Sequence, residues 1–277
     1  MLKLMYITNN PLIAKIAEDA GVDWIFVDME FIGKDTRQGG LDTVQNHHTI
    51  NDIRNIKAAV SKAKVLVRVN PIHDKIDNYF SSKDEIDASI EAGADILMLP
   101  YFKTIREVEA FINYVDGRAK CCLLVETPEA ALLLDDILNI EGIDMVHIGL
   151  NDLHLALKMK FMFELLSNGM VDRMAKKIKN KGIPFGFGGI ATLTGGAVPG
   201  SMILKEHVRL GSSMVIVSRS FCNTDIITDP LEIAHIFNDG IAAIRRQEQE
   251  AINAMTYFTD NNNAVKMAVA KLIHGNG

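Results

Sequence analysis

Apolar residues along the chain follow two alternating rhythms. Short continuous runs such as WIFVD (24–28), VLVRV (65–69), ILMLP (96–100) and MVHIG (145–149) predict strands covered on both faces, as in parallel sheets. Between them apolar positions recur every three or four residues, the period of an amphipathic helix. The strands fall at Lys3–Thr8, Trp24–Asp28, Lys64–Val69, Asp95–Leu99, Lys120–Glu126, Asp144–Ile148, Pro184–Phe187 and Ser213–Ser218. The helices fall at Pro11–Ala20, Thr49–Ser61, Lys83–Ala92, Thr104–Val115, Pro128–Leu138, Met162–Lys181, Ser201–Leu210 and about Pro230–Glu250. Pro11 at a helix start, and Gly21, Gly93 and Gly182 just past helix ends, are the expected start and stop signals.

Eight β/α units in about 250 residues are the count and size of an α/β (β/α)₈ TIM barrel. An open doubly wound sheet is the rival, but no GxGxxG follows the first strand. The barrel is expected as a single domain over residues 1–255, with 256–277 a C-terminal helical extension holding one more short helix.

Composition then narrows the partners. Of 277 residues 48% are apolar and 23% charged, close to globular averages. The net charge of −6, with scattered basic residues, argues against nucleic acid. Cys121, Cys122 and Cys222 form no CxxC, which speaks against a disulfide framework or a thiolate zinc site. No apolar run approaches the roughly 18 residues of a membrane span, and MLKLMYITNNP turns polar too soon for a signal peptide. A cytoplasmic setting without membrane contact is expected.

Reactive groups of such barrels sit at the C-terminal ends of the strands. There the chain places Asp28 and Glu30 after strand 2, Arg68 and Asn70 at strand 3, Glu126 after strand 5, Gly149-Leu150-Asn151-Asp152 after strand 6 and Ser218-Arg219-Ser220 after strand 8. Glu126 and Asp152 together suit a hard divalent ion held by oxygens and water, or else a helix cap and a salt-bridge partner. The planar fork of Arg68 suits either an incoming carboxylate or a buried ion pair. Gly186, Gly188, Gly189, Gly195 and Gly196 could bring backbone amides to an anion. His47 and His48 lie on the same rim, in the long loop after strand 2. No lysine is expected at the inner strand ends, since Lys103 follows Pro100; this favours a metal over a Schiff base.

The blocks GVDWIFVDME (21–30), VLVRVN (65–70), EAGADILMLPYF (91–102), LLVETPEA (123–130) and IDMVHIGLNDL (143–153) resemble the HpcH/HpaI aldolase and citrate lyase β-subunit family over roughly residues 1–225. The resemblance implies a metal-dependent carbon–carbon lyase acting next to a 2-oxo acid. Glu126 and Asp152 match the family's metal carboxylates, for Mg²⁺ or Mn²⁺. Arg68 would steady the keto oxygen of pyruvate, and the Gly149–Asp152 turn, near Asn151 and Asp152, would receive its carboxylate. Asp28 and Glu30 match the acidic pair after strand 2.

In aldolase members the next residue is a histidine that works in proton transfer; here it is Phe31. Either His47 or His48 substitutes, or a metal-bound water does, or the aldolase reaction is lost. The favoured substrate is a 4-hydroxy-2-oxo or 2-oxo-3-deoxy acid, cleaved to pyruvate and an aldehyde. The alternatives are a CoA-ester lyase of citryl or malyl type and a non-catalytic oxo-acid-binding barrel. A homo-oligomer is expected, with the apolar Met159–Leu166 stretch as a packing or subunit-contact face.

Overall fold

The computed structural model describes residues 1–34, 47–76 and 78–275. Its strands are β1 (Lys3–Ile7), β2 (Trp24–Asp28), β3 (Lys64–Arg68), β4 (Ile96–Leu99), β5 (Lys120–Val125), β6 (Met145–Ile148), β7 (Phe185–Ile190) and β8 (Met214–Val217). Each pairs in parallel with the next, and β8 pairs with β1, so the sheet closes. The (β/α)₈ barrel is thereby established.

Strand alternation divides the core in two. Outward residues such as Ile25, Val27, Val65, Val67, Cys121 and Leu123 pack under the helices. Met5, Trp24, Phe26, Leu66, Ile96, Met98, Cys122, Leu124, Met145 and Met214 fill the inside. Gly186 is glycine for the same reason: a Cβ there would lie 2.2 Å from the Met214 carbonyl oxygen and 2.9 Å from His147 Nδ1. Gly188, at φ +46°, has no room for a side chain beside Leu150. Close packing thus accounts for both glycines.

The helices begin with α1 (Pro11–Asp19), α2 (Ile50–Ala59), α3 (Ser82–Glu91) and α4 (Ile105–Val115). Thr49 and Thr104 start α2 and α4 with capping boxes to Asp52 and Glu107. The helix expected over 128–138 is two, α5 (Pro128–Leu132) and α6 (Leu134–Ile137). The break at Leu133 (ψ 6°) turns Leu134 and Ile137 into the core and leaves Leu132 exposed. After α7 (Leu150–Ala156), the helix expected over 162–181 is also two, α8 (Glu164–Ser167) and α9 (Met170–Asn180). Gly169 separates them at φ +75°, and Asn168 accepts the Met170 N–H in an Asx turn.

After α10 (Gly200–Leu210), α11 (Pro230–Asn253) closes the barrel's outer wall and α12 (Phe258–His274) follows. Arg245 of α11 grips Asp23 and the Leu2 carbonyl, and Phe237 meets Tyr6 edge to face. On α12, Asn261 and Asn262 donate to the buried Glu206 carboxylate on α10. Within the apolar 159–166 stretch Phe163, Leu165 and Leu166 are buried. No described helix is long and apolar enough to cross a membrane.

Candidate active site

The parallel register sets Asp28, the last residue of β2, directly beside Arg68, the last of β3. Arg68 donates Nε and Nη2 to the two Asp28 oxygens, each at 2.8 Å, and its Nε lies 3.3 Å from Glu30 Oε2. The guanidinium also lies over the Phe26 ring at 5.6 Å. Burial alone would weaken its charge, but Asp28, Glu30 and Glu126 together hold Arg68 firmly protonated. Its Nη1 makes no hydrogen bond among the described residues.

A lysine does reach this mouth, contrary to the sequence expectation. Lys34 is buried, with Nζ 3.2 Å from Asp28 and 3.6 Å from Glu30. Its amine is thus engaged as an ion-pair partner of both carboxylates. The signal available in the sequence was its place four residues after Glu30, within reach of one helical turn. Lys103 instead lies out toward Glu129, at 3.8 Å.

Glu126 follows β5 and is buried, its Oε1 accepting the Tyr101 N–H at 2.9 Å. Tyr101 holds φ +48°, which aims that N–H. Gly149 starts α7 and donates to the Val125 carbonyl at 2.9 Å. A Cβ on Gly149 would lie 2.8 Å from Glu126 Oε2, so the missing side chain is the space the carboxylate uses. Asn151 and the buried Asp152 occupy the first turn of the helix that Gly149 opens.

This donor set suits a hard divalent ion: the groups are oxygens, one carboxylate is cradled against a glycine, and the second follows on the adjoining helix turn. Among the described residues no three His, Cys, Asp or Glu groups form a complete cage. Mg²⁺ commonly binds through one or two carboxylates and leaves positions for water and substrate.

His47 is exposed, whereas His48 is half-buried and tied to Asp28. The Asp28 N–H donates to His48 Nδ1 at 3.0 Å, and the His48 N–H donates back to the Asp28 carbonyl at 3.3 Å. Burial lowers the His48 pKa, so the neutral ring carries its proton on Nε2. Phe31 meets Tyr79 edge to face at 4.8 Å, and its N–H donates to Asn70. Arg219, after β8, lies within electrostatic reach of Asp28 and shares a small polar cavity with His48. Of the rim residues, Asp28, Glu30, Arg68, Glu126 and His48 converge; His47 lies farther out.

The sequence profile of the HpcH/HpaI aldolase/citrate lyase family matches residues 3–165. Among solved structures, an HpcH/HpaI aldolase from Desulfitobacterium hafniense DCB-2 superposes with a TM-score of 0.58 at 17% identity, covering 78% of this chain and 86% of its own. An HpcH/HpaI aldolase/citrate lyase family protein from Burkholderia cenocepacia J2315 gives 0.59 at 16%, covering 78% and 87%. A variant of the citrate synthase SbnG gives 0.56 at 16%, covering 80% and 89%. No curated protein matches the chain. At these identities the structural likeness speaks for the fold.

Proposed function

The chain belongs to the HpcH/HpaI aldolase/citrate lyase family, and from that premise we propose that it is a metal-dependent lyase that makes or breaks the carbon–carbon bond of a 4-hydroxy-2-oxo or 2-oxo-3-deoxy acid. The observation that carries this reading is Arg68. Its fork is held on two sides by Asp28 and Glu30 next to Glu126, and Nη1 has no partner among the described residues. A donor fixed before the reaction begins stabilises charge without reorganising as that charge develops.

Glu126 and Asp152 would hold Mg²⁺ or Mn²⁺, which when bound supplies Lewis acidity toward the oxo acid. In cleavage the C4 hydroxyl loses its proton, the C3–C4 bond breaks, and the electron pair passes into the enolate of pyruvate. That bond cleavage turns C4 into the aldehyde carbonyl, and protonation of the enolate at C3 then gives pyruvate. Arg68 would face the oxygen on which that charge grows, and the turn at Asn151 and Asp152 would take the carboxylate. Lys34, with Asp28 and Glu30, fixes the fork. His48 already accepts the Asp28 N–H at Nδ1, so it serves as a donor through Nε2 rather than as a base. Removal of the hydroxyl proton then rests with His47 or with a water.

Pyruvate release from racemic 4-hydroxy-2-oxopentanoate, followed by coupled NADH oxidation, tests the reading. Turnover should require a divalent ion, stop with a chelator and return when the ion is restored. Failure to release pyruvate from this or a longer 4-hydroxy-2-oxo acid, with the metal present, would remove the aldolase assignment.

A further inference from the structure

Outside Asp28 a cavity of about 590 Å³ opens between the entry to α2 and the β3–α3 connection. Its wall is aromatic. Phe31 meets Tyr79 at 4.8 Å and Tyr79 meets Phe80 at 5.5 Å, both edge to face. The Tyr79 hydroxyl accepts from Asn70 Nδ2 at 3.2 Å, while Asn70 Oδ1 takes the N–H groups of Phe31 and Ile32 at 2.9 Å. One amide therefore ties the wall to the chain that carries Glu30. The inner edge is His48, whose ring is bonded to the Asp28 backbone.

Among the described residues that line it, one carries a permanent charge. Arg54 of α2 is exposed and makes no hydrogen bond or ion pair among the described residues. Phe80 remains 42% exposed although it stands beside the Tyr79 ring. A cavity of this size, walled by aromatic rings and edged by a few polar groups, has the character of a small-molecule site. Rings left uncovered hold a planar apolar body, and a planar guanidinium pairs with a carboxylate.

We propose that this cavity is the acceptor half of the substrate site and takes a planar, apolar aldehyde bearing a carboxylate, with Arg54 as the counter-charge. The proposal rests on the lyase reading above. In this arrangement Phe31, Tyr79 and Phe80 clasp the ring, Arg54 fixes the carboxylate at the rim, and the carbonyl end points inward past His48.

The test is calorimetric or NMR binding of 4-formylbenzoate and of benzaldehyde to the full chain. Wild type should bind 4-formylbenzoate saturably and more tightly than benzaldehyde. Arg54→Gln, at an exposed position, should weaken 4-formylbenzoate about three- to fivefold and leave benzaldehyde unchanged. Phe31→Ala should weaken both by about tenfold. Absence of saturable binding to wild type, or an Arg54→Gln affinity equal to wild type, overturns the proposal. Deuterium exchange into pyruvate by the wild-type protein reports separately on the lyase reading. Exchange without probe binding overturns the subsite alone. Probe binding without exchange overturns its role as an acceptor site, because no enolate would be formed there.

Discussion

At the N-terminal end of the barrel, Lys3, Lys64 and Lys120 each begin an odd-numbered strand and reach the aspartate that precedes the next strand. The pairs are Lys3–Asp23 at 2.8 Å, Lys64–Asp95 at 3.7 Å and Lys120–Asp144 at 2.7 Å. The same aspartates accept the N–H groups of Leu4, Val65 and Cys121 at 3.0, 2.8 and 2.8 Å. At the C-terminal end, Asp28, Glu30, Lys34 and Arg68 press four charges into a buried cluster. The lysines below are more than half exposed, whereas Lys34 above is 5% exposed at its side chain. Exposed pairs contribute little, and their aspartates serve mainly to fasten strand ends. Buried charges cost desolvation that apolar packing would avoid, and the four gathered at this end are what the proposed lyase site accounts for.

Arg68→Lys should disturb this contrast most. The ammonium keeps the charge but loses the two-pronged hold on Asp28, and kcat should fall by roughly 10²–10³-fold. Because Arg68 also bridges two buried carboxylates, Tm should fall as well, so turnover must be measured per folded molecule. A destabilised variant with normal turnover would reduce Arg68 to a structural role.

Acidification should separate the two ends next. Burial lowers the pKa of His147, inside the barrel, to about 4, partly offset by its donation to the Gly188 carbonyl. Its folded pKa lies below the unfolded value, so the unfolded chain takes up protons first. Its contribution is complete above about pH 6.5 and is lost as pH falls toward 4, about 2 kcal/mol between pH 7 and 5. Glu18, at the opposite end, behaves differently. Burial raises its carboxyl, but the N–H groups of Ala63, Lys62 and Ser61, with Lys15, outweigh that and hold it at about 2. Its stabilisation is complete above about pH 4.5 and fades toward pH 2. Urea unfolding of wild type and His147→Gln at pH 7 and 5 checks this: the variant should lose less stability on acidification.

The smallest effects belong to the N-terminal pairs. Asp144→Ala strands the Cys121 N–H and should cost about 1–3 kcal/mol. Lys120→Ala removes only an exposed partner and should cost under about 1 kcal/mol. Denaturant melts of both variants give the ranking, and equal costs would deny that the aspartate works chiefly as a backbone anchor.

The barrel was legible because its strands are buried on both faces, which writes continuous apolar runs into the chain. Asp28, Arg68 and Glu126 stood out as charges at the ends of those runs. Other features left fainter traces. Leu133 breaks a helix through tertiary packing that its periodicity does not show, whereas Asn168-Gly169 was a turn signal inside an otherwise helical pattern. Lys34 sits in a polar insert where a buried lysine resembles a solvated one. The tautomer of His48 depends on a backbone N–H twenty residues away in sequence. The aromatic wall joins Phe31 to Tyr79 and Phe80 across two loops, and only the closed barrel brings them together.

The most direct test of the central claim is deuterium exchange into the methyl group of pyruvate in D₂O, followed by mass spectrometry. This half-reaction needs no aldehyde and reports enolate formation at the barrel mouth alone. With Mg²⁺, wild type and Lys120→Ala should exchange at the same rate, a chelator should stop both, and Glu126→Gln and Asp152→Asn should be silent while still folded. Exchange that persists unchanged in Glu126→Gln and Asp152→Asn, or a folded wild type that never exchanges with Mg²⁺ or Mn²⁺ present, would contradict the account.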